Sequence, residues 1–89
     1  MTRRYLVIYE NGPHNMSGFA PDVPGCASTG HSLDEMRQNL REALEFHLEG
    51  LAMDGFPIPA ASTPLAEVPE DGLAEWLDVT LPAAVAISA

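Results

Sequence analysis

The residues of this 89-residue chain that could do chemistry are three histidines, one cysteine and 13 carboxylates. His14, His31 and His47 lie 17 and 16 residues apart, and Cys26 stands alone, so no metal-ligand spacing emerges. His14 falls in a turn, and His31 precedes a helix start. His47 sits on the apolar stripe of that helix, where a core-edge or interface role outweighs that of a ligand or base. Cys26 has no neighbouring base and reads as a small buried hydrophobe rather than a reactive thiol. Gly12, Gly18, Gly25 and Gly30 do not spell a phosphate-binding loop. Metal-dependent nuclease chemistry needs several carboxylates held around an ion. Asp22, Asp34, Glu35 and Asp78 are available, but no spacing singles them out. The expectation is a protein without catalysis, metal or cofactor, with a degenerate nuclease as the least favoured reading.

Bulk charge is more informative. Against those 13 carboxylates stand four arginines and no lysine, for a formal net charge of −9. Nucleic-acid binding depends on basic residues that neutralise phosphates, so a direct nucleic-acid partner is not expected. A basic protein would be steered toward the chain, although an acidic surface also serves solubility alone. One cysteine excludes an intramolecular disulfide. The absence of a signal-peptide pattern or a long apolar run gives a cytoplasmic protein with no membrane contact as the simplest expectation.

The elements that must position these residues follow from periodicity and punctuation. Tyr5–Tyr9 is a continuous apolar run rich in aromatic and β-branched residues, the pattern of a central strand covered on both faces. Asn11-Gly12-Pro13 marks a turn. Met16–Ala20 reads as a weaker strand, with Met16, Gly18 and Ala20 on one side and Ser17 and Phe19 on the other. Asp22-Val23-Pro24-Gly25 makes a tight connection, and Cys26–Gly30 is a third short strand.

Ser32 with Glu35 three residues on forms a capping box, in which each side chain serves the other residue's amide. Leu33, Met36, Leu40, Ala43, Leu44, Leu48 and Leu51 then recur at helical spacing, and Gly55 and Pro57 close the helix. Residues 54–74 have no period. Phe56, Ile58 and Leu65 are candidates to dock on the core, residues 65–71 could form a helical turn, and a loop this long is often functional or mobile. Glu75–Leu81 alternates as a half-buried strand, with Trp76, Asp78 and Thr80 against Leu77, Val79 and Leu81. The order is β-β-β-α-β, an α+β fold with one long helix on one face of a four-stranded sheet. The helical crossover favours a last strand parallel to the first. Residues 1–82 form a single domain, and 83–89 is a tail, disordered or in a subunit contact.

On the helix, Glu35, Glu42 and Glu49 fall opposite the core stripe and form an acidic ridge, joined by Phe46 and Met53. A solvated face accounts for the glutamates. Outward Phe46 and Met53 among them resemble an interface. Arg37 and Arg41, with Asp34 and Glu45 at pairing distance, are explained by simple pairs within the helix.

Five segments, YLVIYE, GFAPDVPGCASTGHSLDEM, NLREALEFHLEGL, GFPIPAAS and EWLDVTLP, together resemble the HicB-type antitoxins over roughly residues 4–82. The motif positions are Pro21, Asp22, Pro24, Gly25 and Cys26 in the turn, Gly30, Ser32 and Glu35 at the cap, and Gly55, Pro57 and Pro59 at the helix exit. The resemblance implies a partial ribonuclease H-like fold of sheet order 3-2-1-4 with one packed helix, and no catalysis. It implies binding and occlusion of a small basic, mRNA-cleaving HicA-type toxin, and a homodimer or homotetramer. Many family members carry a further DNA-binding segment. Here the sequence ends in PAAVAISA with no Lys or Arg after Arg41, so direct DNA binding is not expected. The candidate partner surface is Glu35, Glu42, Phe46, Glu49, Met53 and Phe56, with the 54–74 loop. The alternative is a stand-alone oligomeric binding or scaffold domain without a toxin.

Overall fold

The computed structural model describes residues 2–63 and 73–81. The strands are β1 (Thr2–Asn11), β2 (Met16–Phe19), β3 (Ala27–Gly30) and β4 (Leu73–Thr80), and the one described helix is α1 (Leu33–Met53), between β3 and β4. The sheet has the order β3-β2-β1-β4, with β1 at its centre. The possible helical turn at 65–71 and the 83–89 tail lie outside the described residues, as does Leu65.

Two tight turns join β2 to β3. The Val23 amide donates to the Ala20 carbonyl at 3.1 Å and the Cys26 amide to the Val23 carbonyl at 3.2 Å. In the second turn Pro24 occupies the position that favours a fixed φ, and Gly25 takes φ +83°, a region open to glycine. β3 then leads into the helix. The Ser32 side chain accepts the Glu35 amide at 3.1 Å, but Glu35 Oε1 accepts the His31 amide at 3.2 Å, so the reciprocal half of the capping box reaches one residue further back than Ser32. The other end of α1 is closed as the sequence suggests. The Phe56 amide donates to the Leu51 carbonyl and the Gly55 amide to the Ala52 carbonyl, with Gly55 at φ +78°, a Schellman motif that uses the last carbonyls of the helix.

Strand alternation sends Tyr5, Val7 and Tyr9 to the helix side, where they join Met36, Leu40, Leu44 and Leu48 of α1 and Leu77 and Val79 of β4 in one core. Cys26 is buried in the same core, and burial pushes its thiol pKa up, away from the reactive thiolate.

One expectation fails. β4 runs antiparallel to β1, from Leu73 opposite Tyr9 to Thr80 opposite Thr2. The helix ends beside the start of β1, where a parallel β4 would begin at once. Instead, β4 starts at the far end, with Leu73 beside Tyr9. The described part of the connection from α1 is tied down. Arg3 Nη1 donates to the Pro59 carbonyl at 3.1 Å, and the Tyr5 hydroxyl donates to the same carbonyl. Ile58 packs against the core, whereas Phe56 remains 59 % exposed and does not dock there.

Candidate protein-interaction surface

Four buried residues, Met36, Leu40, Leu44 and Leu48, fix the rotation of α1 and so decide what its other side presents. At 100° per residue, Glu35, Glu42, Phe46, Glu49 and Met53 fall opposite that stripe, and all five are exposed. Phe46 is 81 % and Met53 78 % exposed. The glutamates recur every seven residues, which spaces them by about 10 Å along the axis. Between Phe46 and Met53 lies Gly50, whose missing side chain opens onto empty space. A shallow depression of about 240 Å³, lined by Phe46, His47, Gly50, Leu51 and Asp54, runs beside it. Phe56 stands exposed just beyond the helix end. The structure thus brings Glu42, Phe46, Glu49 and Met53 onto one surface near Phe56. Glu35 lies at the opposite end of the helix, engaged with His31 at the cap.

The arginines of the helix do not dilute this acidity, because they are committed elsewhere. Arg37 reaches Asp34 at 3.4 Å, but its close contacts are with Glu75 of β4, Nε to Oε1 at 2.7 Å and Nη2 to Oε2 at 2.9 Å. The Tyr9 hydroxyl donates to the same Glu75 Oε1 at 2.7 Å. Arg41 donates to the Asp78 carbonyl at 3.1 Å, and Glu45 accepts the Thr80 amide at 2.6 Å. Pairing within the helix is therefore not the main role of Arg37, Arg41 and Glu45. They fasten α1 to β4 and take up backbone groups of an edge strand. Local sequence spacing carries no sign of these contacts, whose partners lie 35 to 38 residues away.

Electrostatics at the fastening points is strongly perturbed. Hydrogen bonding from Arg37, against an opposing effect of burial and with help from Tyr9, holds the Glu75 carboxyl below its usual range. Burial, reinforced by Glu75, pushes the Tyr9 phenol well above its usual value. Asp22 is a second fastening point. Its carboxylate accepts the amides of Ser62 and Thr63 at 2.9 to 3.1 Å, the Ser62 hydroxyl at 3.1 Å and the Thr63 hydroxyl at 2.7 Å. Burial raises the Asp22 pKa, but these hydrogen bonds outweigh it and leave the carboxyl lowered. The motif aspartate is an anchor for the return loop, and nothing in the sequence around it points to Ser62 and Thr63.

The four carboxylates considered for metal chemistry are dispersed. Asp22 holds the return loop, Asp34 meets Arg37, Glu35 meets His31, and Asp78 meets Arg4 at 3.0 Å. Among the described residues no three His, Cys, Asp or Glu side chains are grouped to hold a metal ion, and no helix is long and apolar enough to cross a membrane.

Comparison with known proteins points one way. The family model described as the HicB_like antitoxin of bacterial toxin–antitoxin systems matches residues 5–86. A 14.9 kDa protein from the rep-hol intergenic region of Haemophilus phage HP1 is 45 % identical over 42 residues, 47 % of this chain and 32 % of the phage protein. A UPF0150 protein of Thermotoga maritima is 43 % identical over 44 residues, 49 % of this chain and 59 % of that protein. The chain thus covers less than two thirds of these relatives' length. Among solved structures, the N-terminal domain of Burkholderia pseudomallei antitoxin HicB superposes with a TM-score of 0.68 at 28 % identity, over 90 % of this chain and 99 % of that one. A chain of a HicA3 and HicB3 toxin–antitoxin complex gives a TM-score of 0.72 at 22 % identity, over 88 % and 99 %, which is a likeness of fold.

Proposed function

Because the chain belongs to the HicB_like antitoxin family, we propose that it binds and occludes a small basic, mRNA-cleaving toxin of the HicA type, acting in the cytoplasm and without catalysis of its own. The observation that carries this reading is the outer face of α1. It joins exposed Phe46 and Met53 to the Glu42 and Glu49 carboxylates, and the two arginines of the helix are turned to β4. Apolar anchors within a charged rim suit a protein partner, and the sign of the rim suits a basic one. Glu35 and Phe56 extend the same surface at its two ends. A similar fold occurs in a HicA3 and HicB3 complex. Self-association to a homodimer or homotetramer belongs to the same reading. No direct nucleic-acid contact belongs to this reading, because these residues offer four arginines against 13 carboxylates.

The test is co-expression of the untagged chain with a tagged form of the short basic protein encoded beside it. Co-purification together with relief of the partner's growth arrest supports the proposal. A neighbour that neither binds nor arrests growth, or the lack of one, leaves a stand-alone oligomeric domain that uses Phe46 and Met53 for its own contacts.

A further inference from the structure

The last turn of α1 departs from local preference twice in one place. Gly50 lies within the helix, where glycine is disfavoured against alanine. Backbone conformation does not require it, because the positive φ angles among the described residues belong to Gly25 and Gly55. Packing does not require it either, since a Cβ on Gly50 would meet nothing within 4 Å. Asp54 then caps a helix whose last turn holds no basic residue. Its carboxylate adds to the negative end of the helix dipole, and Glu49 stands exposed about one turn before it. Neither residue helps the helix, and departures of this kind gather at functional sites.

Both departures border one feature. Phe46, Gly50 and Asp54 follow at four-residue steps, one above the other on the helix surface. All three line the depression of about 240 Å³, with Gly50 between the ring and the carboxylate. That volume is below the roughly 300–1,000 Å³ of small-molecule pockets and suits a single long side chain. Charge says which kind. The chain has no lysine, and each of its arginines is engaged: Arg3 with the Pro59 carbonyl, Arg4 with Asp78, Arg37 with Glu75 and Arg41 with the Asp78 carbonyl. A second copy brings the same engaged set. The cation that complements Asp54 and the helix end therefore comes from a different protein.

We propose that this depression receives one arginine side chain of a basic protein partner, its guanidinium against the Phe46 ring and hydrogen-bonded to the Asp54 carboxylate, with Gly50 keeping the space open. Arginine suits the site better than lysine. A planar, weakly hydrated guanidinium stacks on a ring while its edge pairs with a carboxylate. The inference rests on the partner-binding reading above and names the side chain that the surface takes.

The experiment titrates the isotope-labelled full chain with a capped tri-arginine peptide, and separately with tri-lysine of equal charge, while amide NMR spectra are recorded. The expected result is saturable shifts centred on Phe46, Gly50 and Asp54, with tri-arginine about threefold or more tighter than tri-lysine. Gly50→Ala and Asp54→Asn should each weaken tri-arginine binding by about fivefold or more. Neither variant should melt below wild type, and Gly50→Ala should melt about 3–8 °C above it. A gain in stability with a loss of binding is what a purely structural role could not produce. Diffuse shifts of equal size with both peptides overturn the proposal, as does the absence of shifts at millimolar peptide. So do variants that bind unchanged, or that melt below wild type, which would give Gly50 or Asp54 a role within the fold. Growth rescue by a partner whose binding ignores both variants defeats this inference and spares the toxin reading. Saturable, variant-sensitive binding of tri-arginine with no toxin neighbour does the opposite.

Discussion

Glu75 and Asp22 show how much of this fold rests on single carboxylates. Each accepts several hydrogen bonds from partners distant in sequence, and each has its pKa lowered in the folded state. A depressed folded-state pKa stabilises the protein at and above the ordinary carboxylate range, roughly pH 4, and that stabilisation is lost as pH falls through the folded-state values. Urea midpoints measured from neutral pH downward should therefore fall below about pH 4. The Asp22→Asn, Glu75→Gln double variant should be weaker at neutral pH and flatter toward acid. Loss of hydrogen bonds to a charged acceptor costs on the order of 1–3 kcal/mol at each site, and an unchanged acid slope in the double variant would show that these carboxylates do not carry the effect. Residue types told little of this in advance. Asp22 reads as part of a turn motif and Glu75 as the first residue of a strand, because the partners that give them meaning are brought close only by the folded chain. Cys26 was legible, since a lone thiol between small residues with no base beside it has little to do except fill space.

The elements were easier to read, because each is written in a local period. Three strands, the capped helix and the fourth strand all stand within a few residues of their sequence expectations. The direction of β4 was not legible. It depends on where residues 54–72 lead the chain, and the prolines there say only that the path is extended. The junction of β3 with α1 is tightly packed. A Cβ on Gly30 would stand 2.9 Å from the Met36 amide nitrogen and 3.1 Å from its Cα, both backbone atoms that cannot rotate aside. Gly30→Ala is therefore expected to cost about 1–3 kcal/mol by overpacking. Ser32→Ala, which removes one capping acceptor two residues later, is expected to cost about 1 kcal/mol. Thermal melts of the two variants check the order. A Gly30→Ala protein as stable as wild type would mean that the helix start shifts freely against β3, contrary to the Asn39 side-chain hydrogen bond that holds the Thr29 carbonyl at 2.9 Å.

At the scale of the whole molecule, the chain carries a net charge of −9, and the charges of the described residues are not spread evenly. Arg37 and Arg41 face β4 and Arg4 pairs with Asp78 on the sheet, so the outer side of α1 is left with Glu42, Glu49 and Asp54 around Phe46 and Met53. Two kinds of contribution to partner binding then separate. Exposed carboxylates act over roughly the Debye length, about 8 Å at physiological salt, and raise the association rate more than the lifetime of the complex. Phe46 and Met53 act only on contact and set the dissociation rate. With the basic partner from the co-expression test, Glu42→Lys with Glu49→Lys should slow association by about tenfold or more at low salt and by much less at high salt. Phe46→Ala should instead speed dissociation by about tenfold or more, as expected for the loss of a buried aromatic anchor, with little dependence on salt. Surface-plasmon traces across a salt series separate the two. If charge reversal changes neither rate, the basic partner binds elsewhere, and the acidity of this helix serves solubility alone.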